Sequence, residues 1–411
     1  MNVALGIPDH LNVRTVPIAD PADLLARLPR PTGLAWVRHG QGLIGWGEAA
    51  RIIIPGGEDR FTRATTWLQQ IFATADIDDP IQAPGTGPVA FGGFAFDPKS
   101  SDSALIVPRA IIGRRDGQAW YTTIGDGTDP LTLLQPPTPP GRLTWSDGTL
   151  TAPGWERAVT TAVQRIRQGH LRKVVLARDL RAQAEQPIDP RVLLARLATR
   201  YPGCYTFAID GLVGATPELL VRRTGDLIES LVLAGTAARG ADPADDRTRA
   251  DRLRHSAKDR EEHDYAAAMV RDALTPLCDT LTIPREPELL TLPNVHHLAS
   301  PVHGRLHTER SVLDVVAALH PTPAVGGTPT DTALDLIREL EVMDRGRYAG
   351  PVGWIDGRGD GEWGIALRCA EIDGPRARLF AGCGIVADSD PEAELAEAQT
   401  KLRVMQYALE G

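Results

Sequence analysis

Several short stretches of the 411-residue chain carry side chains whose type and spacing suit chemistry. Near the C-terminus, Glu394, Glu397 and Lys401 lie three and four residues apart, so a helix places them on one face. They follow a strand-like run with Gly382 and Gly384, where a ligand can approach the backbone closely. Two carboxylates and an ammonium so placed could hold a metal ion and an anionic ligand together, although an ordinary solvated helix face has the same pattern. Upstream, Asp259 and Glu262 fall on the backward extension of an apolar helix stripe. A carboxylate on a buried side is costly unless it is paired or ligates a cation, and an arginine salt bridge is the competing assignment. Lys173 opens an apolar strand, a place more often taken by an exposed edge residue; work as a base there needs desolvation or a nearby cation. Glu218 sits in the turn Gly214-Ala-Thr-Pro-Glu218, as a surface carboxylate or as a general acid held at a sheet end. Arg368 alternates with Ala366 and Ala370, and that small-residue face leaves room for two-pronged binding of a carboxylate. Adjacent His296 and His297 point to opposite faces of a strand, so at most one reaches any site. No HxH or HExxH spacing is present, which argues against zinc.

The elements that must position these groups are legible in outline. Trp155, Ala158, Val159, Ala162, Val163 and Ile166 form a helical stripe from Trp155 to about Gln168, with Gly169 as its stop. Lys173 to Leu180 follows as a strand, then Cys204–Asp210, Leu212–Arg222 and Leu227–Ala234. After a long polar stretch, Ser256 starts a helix running to about Leu277 on Ala266, Met269, Val270, Ala273 and Leu277. His320-Pro-Thr-Pro-Ala-Val-Gly-Gly327 reads as a rigid turn, and Tyr348–Asp356 and Glu362–Ile372 as strands around Gly357–Gly361. Asp390-Pro391 caps the last helix, whose stripe is Leu395, Ala398, Leu402, Met405 and Leu409. Residues 1 to about 133 read as strands and turns of a mainly antiparallel sheet with a short helix near Arg63–Thr74. The proline-rich segment Leu134–Arg142 reads as a surface crossover between two halves of one domain.

Composition narrows the function classes. Hydrophobic content of 42% and charged content of 24% are those of a globular chain with ample core. A net charge of −9 argues against a broad nucleic-acid surface but leaves room for a small anionic substrate held by a few local cations. No apolar run approaches the roughly 18 residues of a membrane span, and Met1–Asp20 lacks a signal-peptide layout. Four scattered cysteines, without a CxxC pair, fit a reduced cytoplasm.

Taken together, the segments KVVLAR, GATPELL, LAGT, SAKDREEH, HHL, HPTPAVGG, DRGRYAGPVGW, ALR, AGCGIV and DPEAELAEAQTK resemble, in order and spacing, the chorismate-utilising enzymes. That family includes isochorismate, salicylate, anthranilate and aminodeoxychorismate synthases. The resemblance covers roughly Trp155 to Leu409, with a weaker echo in Phe91-Gly-Gly-Phe-Ala-Phe-Asp97. It implies one α+β domain over residues 1–411, with two large antiparallel β-sheets flanked by helices, the fold of anthranilate synthase component I. Within it, 1–150 is a sheet-rich N-terminal half and 151–411 the chorismate-binding core.

The resemblance also implies roles. Lys173 would activate water for attack at C2 of chorismate, and Glu218 would protonate the departing C4 hydroxyl. Glu262 and Glu397 would ligate Mg²⁺ directly, with Asp259 and Glu394 around them; carboxylate oxygens are what magnesium prefers. Ala234, Gly235, Thr236, His297, Tyr348, Arg368, Gly382, Gly384 and Lys401 would bind the substrate. Lys173 speaks against an anthranilate synthase, and Ala234 in LAGT replaces the nucleophilic lysine of a PIKGT motif. The HPTPAVGG turn resembles isochorismate synthases more than salicylate synthases, which carry threonine near Ala324. A salicylate synthase and a silent chorismate binder are the alternatives. Gly382-Cys-Gly-Ile-Val-Ala387 looks like a dinucleotide fingerprint, but its helix starts near Pro391, too late for a pyrophosphate. No nucleic acid, membrane or obligate partner chain is expected.

Overall fold

The computed structural model describes residues 11–125, 136–291, 295–307 and 310–411. Among these, thirteen strands form one sheet and ten form a second, with helices packed around them. Pairing is antiparallel throughout except where Asn12–Pro17 meets Asp76–Asp78 in parallel. Each sheet mixes strands from both ends of the chain. Leu34–Arg38 pairs with Tyr205–Ile209 in the first sheet, and Val89–Gly93 with Pro351–Asp356 in the second. Such long-range pairing follows from burial on both faces: Val89–Gly93 and Pro351–Asp356 are buried at every position.

The helix expected from Trp155 begins one turn earlier, at Ala152, because Thr151 caps it through Gly154 N and Pro153 occupies its first turn. All six residues of its stripe are buried, each worth about 1.5–3 kcal/mol for the larger side chains. Gly169, at φ +82°, ends it. The N-terminal helix is Arg60–Ala73. The proline-rich crossover starts at Leu134 and Gln135, outside the described residues, and is irregular from residue 136 to 142.

Three expectations change. The polar stretch after Thr236 is itself a helix, Pro243–His255, capped by Asp242; only Leu253 of it is buried, so no apolar stripe announces it. The next helix, Ala257–Leu274, starts at the Ser256 cap as expected. Leu212–Arg222 is two strands, not one: Leu212–Thr216 belongs to the first sheet and Leu219–Thr224 to the second. Pro217 cannot donate to a ladder, and the chain leaves the first sheet there. Glu362–Ile372 divides likewise into Gly361–Ile365 and Cys369–Asp373, one in each sheet. Arg368 therefore stands in a sheet-to-sheet crossing rather than alternating along a strand, and its φ of +49° is the bend.

Candidate active site

Lys173 starts a twelve-residue strand, Lys173–Ala184, that is not an edge. It pairs with Arg376–Ile385 on one side and with Gly327–Thr328 and Leu143–Asp147 on the other. The lysine is partly covered, and its Nζ donates to Glu262 Oε1 at 2.8 Å. Room for its stem comes from Gly384, where a Cβ would stand 3.0 Å from Lys173 Cε. The buried-side carboxylate thus has its cation, and that cation is a lysine rather than an arginine.

Glu218 and Arg368 come together because the two crossings are neighbours. Ala215 N donates to the Arg368 carbonyl at 3.2 Å, and Ile365 N to the Glu218 carbonyl at 3.1 Å. Burial pushes the Glu218 carboxyl up to about 7, while the Arg368 and Lys173 charges pull the other way. Its main chain is fixed by Glu218 N donating to Thr216 Oγ1 (3.2 Å).

The C-terminal helix, Pro391–Glu410, is capped by Asp390, which accepts from Ala393 N at 2.9 Å. It presents Glu394, Glu397 and Lys401 to the glycine strand. Lys401 Nζ donates to the Gly382 carbonyl (2.8 Å) and to Glu397 Oε1 (2.6 Å). Glu394 accepts from Ser389 Oγ at 2.7 Å, and burial raises its carboxyl above the usual range. Ligand atoms of Glu394, Glu397 and Cys383 lie within 4.8 Å of one another. Gly382 leaves room for Tyr348, whose Oη would be 3.0 Å from a Cβ there; Tyr348 is buried and stacked on Phe380.

The histidine pair divides as strand geometry requires. His296 is buried and holds Asp246 through Nε2 (3.0 Å), far from this chemistry in role. His297 lies near the charges of Arg368 and Lys401, and burial first of all, then those charges, hold its imidazole below the ordinary range against a hydrogen bond from its ring to the Gly235 backbone. Gly235, at φ +80°, makes a bulge in Leu227–Ala238 where a Cβ would meet Asp259 at 3.2 Å. The Ala234 carbonyl accepts from His263 Nδ1 (3.2 Å). The backbone of Thr236 pairs with His297, whereas its side chain lies outside the described residues.

A cavity of about 320 Å³ opens beside the lysine strand and the Glu218 crossing, while Asp259, Gly235, His297, Tyr348, Arg368, Gly382, Gly384, Glu394, Glu397 and Lys401 are not among its lining residues. Lys173, Glu218, Glu262 and Ala234 line it, with Thr322 and Ala324 of the turn and apolar walls from Leu220, Val232, Val270 and Leu319. Arg172 and Tyr265 stand at it too, in a cation–π contact of 5.0 Å. Neither had a signal in the sequence beyond being a charged and an aromatic residue near named motifs. Ser389, Glu341 and Arg345 were also missed, since a lone serine and a buried ion pair leave no periodic trace.

The family model for "Chorismate binding enzyme" matches residues 13–126 and 133–410. The chain belongs to the chorismate-binding enzymes. Among members of that family, it is 35% identical over 368 residues to isochorismate synthase MenF of Bacillus subtilis, covering 81% of this chain and 77% of the relative. It is 36% identical over 325 residues to isochorismate synthase EntC of Escherichia coli, covering 77% and 80%. The solved structure of MenF, the menaquinone-specific isochorismate synthase from Escherichia coli, superposes with a TM-score of 0.82 at 26% identity, over 97% of this chain and 95% of that one. The α+β fold with two large antiparallel sheets is therefore that of the chorismate-binding enzymes.

The donor set fits a hard divalent cation. Asp259, Glu262, Glu394 and Glu397 offer carboxylate oxygens, which magnesium takes in preference to sulfur or nitrogen. The structure brings them up as two pairs on two helices, and one member of each pair is bonded to a lysine: Glu262 to Lys173, Glu397 to Lys401. Among the described residues, Glu262 and Asp259 are not part of the Cys383–Glu394–Glu397 group. Three buried cysteines and one half-buried one are all free thiols, and no helix among the described residues is long and apolar enough to cross a membrane.

Proposed function

We propose that the chain is an isochorismate synthase, converting chorismate reversibly to isochorismate. The observation that carries this reading is that Lys173 and Glu218, a basic and an acidic side chain, line one cavity, with Glu218 balanced between its protonated and ionised forms near neutral pH. In its neutral amine form, having given up the proton it shares with Glu262, Lys173 takes a proton from water as the water oxygen bonds to C2. The ring double bonds shift, the C4–O bond breaks, and Glu218 delivers its proton to the departing hydroxyl, which leaves as water. Run backwards, the same two groups exchange roles, which suits a reversible reaction.

Glu262 and Glu397, with Asp259 and Glu394 beside them, would hold Mg²⁺; when bound it neutralises the ring carboxylate of the substrate. Arg368, Lys401, Tyr348, His297 and the backbone at Gly382, Gly384 and the Ala234–Thr236 bulge would bind the enolpyruvyl carboxylate and ring. A dianion entering a chain of net charge −9 needs these local cations. The product would enter menaquinone or siderophore biosynthesis. In this reading residues 1–411 work as one domain, in the cytoplasm, without an obligate partner chain.

Ala324 in the cavity wall, in place of a threonine, favours release of isochorismate over onward loss of pyruvate to salicylate. Incubation with chorismate and Mg²⁺, an EDTA control and chromatography of the products test this. Isochorismate alone is the expected product; salicylate with pyruvate would move the chain to the salicylate synthases, and binding without turnover to a silent binder.

A further inference from the structure

The strand that carries Lys173 has a gap along one side. At the start Lys173 lies opposite Thr328 and Val174 opposite Gly327, and Val175 N donates to the Gly326 carbonyl (2.8 Å). Pairing on that side resumes only at Leu180, opposite Asp147. Between these points the backbone groups are met by side chains. Arg345 donates to the Val175 carbonyl at 2.7 Å, Glu341 Oε1 accepts from Ala177 N at 2.7 Å, and Trp155 Nε1 donates to the Ala177 carbonyl at 3.1 Å. Arg345 and Glu341 are bonded to each other in two places, at 2.5 and 2.9 Å, and are 2% and 1% exposed. The pair therefore stands where a neighbouring strand would stand, supplying one donor and one acceptor in ladder fashion.

Arg345 reaches further. Its other nitrogen donates to the Val325 carbonyl at 2.9 Å, in the turn whose Thr322 and Ala324 line the cavity. Its own carbonyl accepts from Tyr348 N at 3.1 Å, and Tyr348 is the ring seated over Gly382. The buried guanidinium of Arg345 thus ties the lysine strand, two residues from Lys173, to the turn that helps line the cavity, while its main-chain carbonyl holds the loop that carries Tyr348. A buried ion pair is a weak source of stability and is often replaceable by apolar residues at little net cost. What apolar residues cannot replace is the set of directed bonds to Val175, Ala177 and Val325.

We propose that Glu341 and Arg345 are positioning residues for the reaction, acting as a side-chain substitute for a strand that sets Lys173 against the 320–327 turn. The inference rests on the proposed reaction for its consequence in turnover, and on the hydrogen bonds alone for its consequence in the backbone. The test is the double variant Glu341→Leu/Arg345→Met, which removes both charges together. It should fold with a lowered melting temperature, since three backbone groups lose their partners, with kcat for isochorismate formation lowered at least about tenfold, KM for chorismate changed by less than about threefold, and faster amide exchange at Val175 and Ala177. Trp155→Phe, which loses one bond to the same strand but none to the turn, should keep kcat within about twofold. Unchanged kcat in a folded double variant overturns the proposal. So does a loss of kcat in Trp155→Phe equal to that in the double variant. Should the double variant not fold, Arg345→Lys, which keeps the charge and one directed bond, takes its place under the same criteria. Failure of both to fold assigns the pair to stability and overturns the positioning role. A parent protein that makes no isochorismate would instead overturn the reaction, while the amide exchange still reads the pair.

Discussion

Lys173 and Glu262 are joined at 2.8 Å, so the residue proposed as the base and a residue proposed as a metal ligand hold one another. The same relation recurs between Lys401 and Glu397 at 2.6 Å. A cation taking both carboxylates, as proposed, would share them with ammonium groups already bonded to them. Chelation or substitution on either side is therefore expected to affect base and metal together.

Glu262→Gln is expected to raise the Mg²⁺ concentration for half-maximal activity by at least about 10- to 100-fold, the loss seen when even a group that only supports a metal ligand is removed. A Mg²⁺ titration followed both by activity and by calorimetry checks this. An unmoved titration would remove Glu262 from the metal site, and EDTA should abolish turnover in the parent.

Lys173→Ala is expected to lower kcat by about 10²- to 10⁴-fold, the usual worth of a general base, while chorismate still binds in the presence of Mg²⁺. Equilibrium binding of chorismate alongside the rate assay separates the two effects. Full activity would rule out Lys173 as the base.

Glu218 sets a pH dependence. Its carboxyl is raised to about 7 by burial, so the protonated form needed to deliver a proton to the leaving hydroxyl is present below that pH and is lost above it. The ratio kcat/KM for chorismate should fall on the alkaline side through about pH 7. Glu218→Gln should lower the rate and erase that limb.

Gly384→Ala should act through crowding. Gly384 is not in a left-handed conformation, so alanine fits its backbone, but the new methyl would sit 3.0 Å from Lys173 Cε. Turnover should drop by about tenfold or more, as for a displaced catalytic group, with the melting temperature moved by no more than a few degrees. Equal losses of stability and rate would argue for a general packing defect.

His320 predicts acid sensitivity of the fold. It is buried, its Nε2 donates to the Phe96 carbonyl at 3.0 Å, and burial lowers it from 6.5 to about 3. The folded chain then binds fewer protons than the unfolded one between those values, so this stability is full above pH 6.5 and falls as pH drops toward 3. The slope is about 1.4 kcal/mol per pH unit at most. Denaturant melts of the parent and His320→Gln from pH 7 to 4 should converge as pH falls.

By itself, the sequence determined the helices with clear stripes, the caps at Ser256 and Asp390, and the set of residues that could do chemistry. Stripes and caps are local, and a motif in order is a one-dimensional fact. It also determined that at most one of His296 and His297 reaches any site, because neighbours on a strand must diverge. Tertiary structure alone decided that Lys173 lies inside a sheet, since edge or interior depends on pairing with residues some 150 to 210 positions away. It decided that Glu218 and Arg368 meet, because both crossings between sheets look like single strands in one dimension. It decided that the polar run after Asp242 is a helix, held by Asp246 to Arg239 and His296 rather than by an apolar face. And it placed Glu341 and Arg345 behind Lys173, where hydrogen bonds between distant segments, rather than any periodicity, set the geometry.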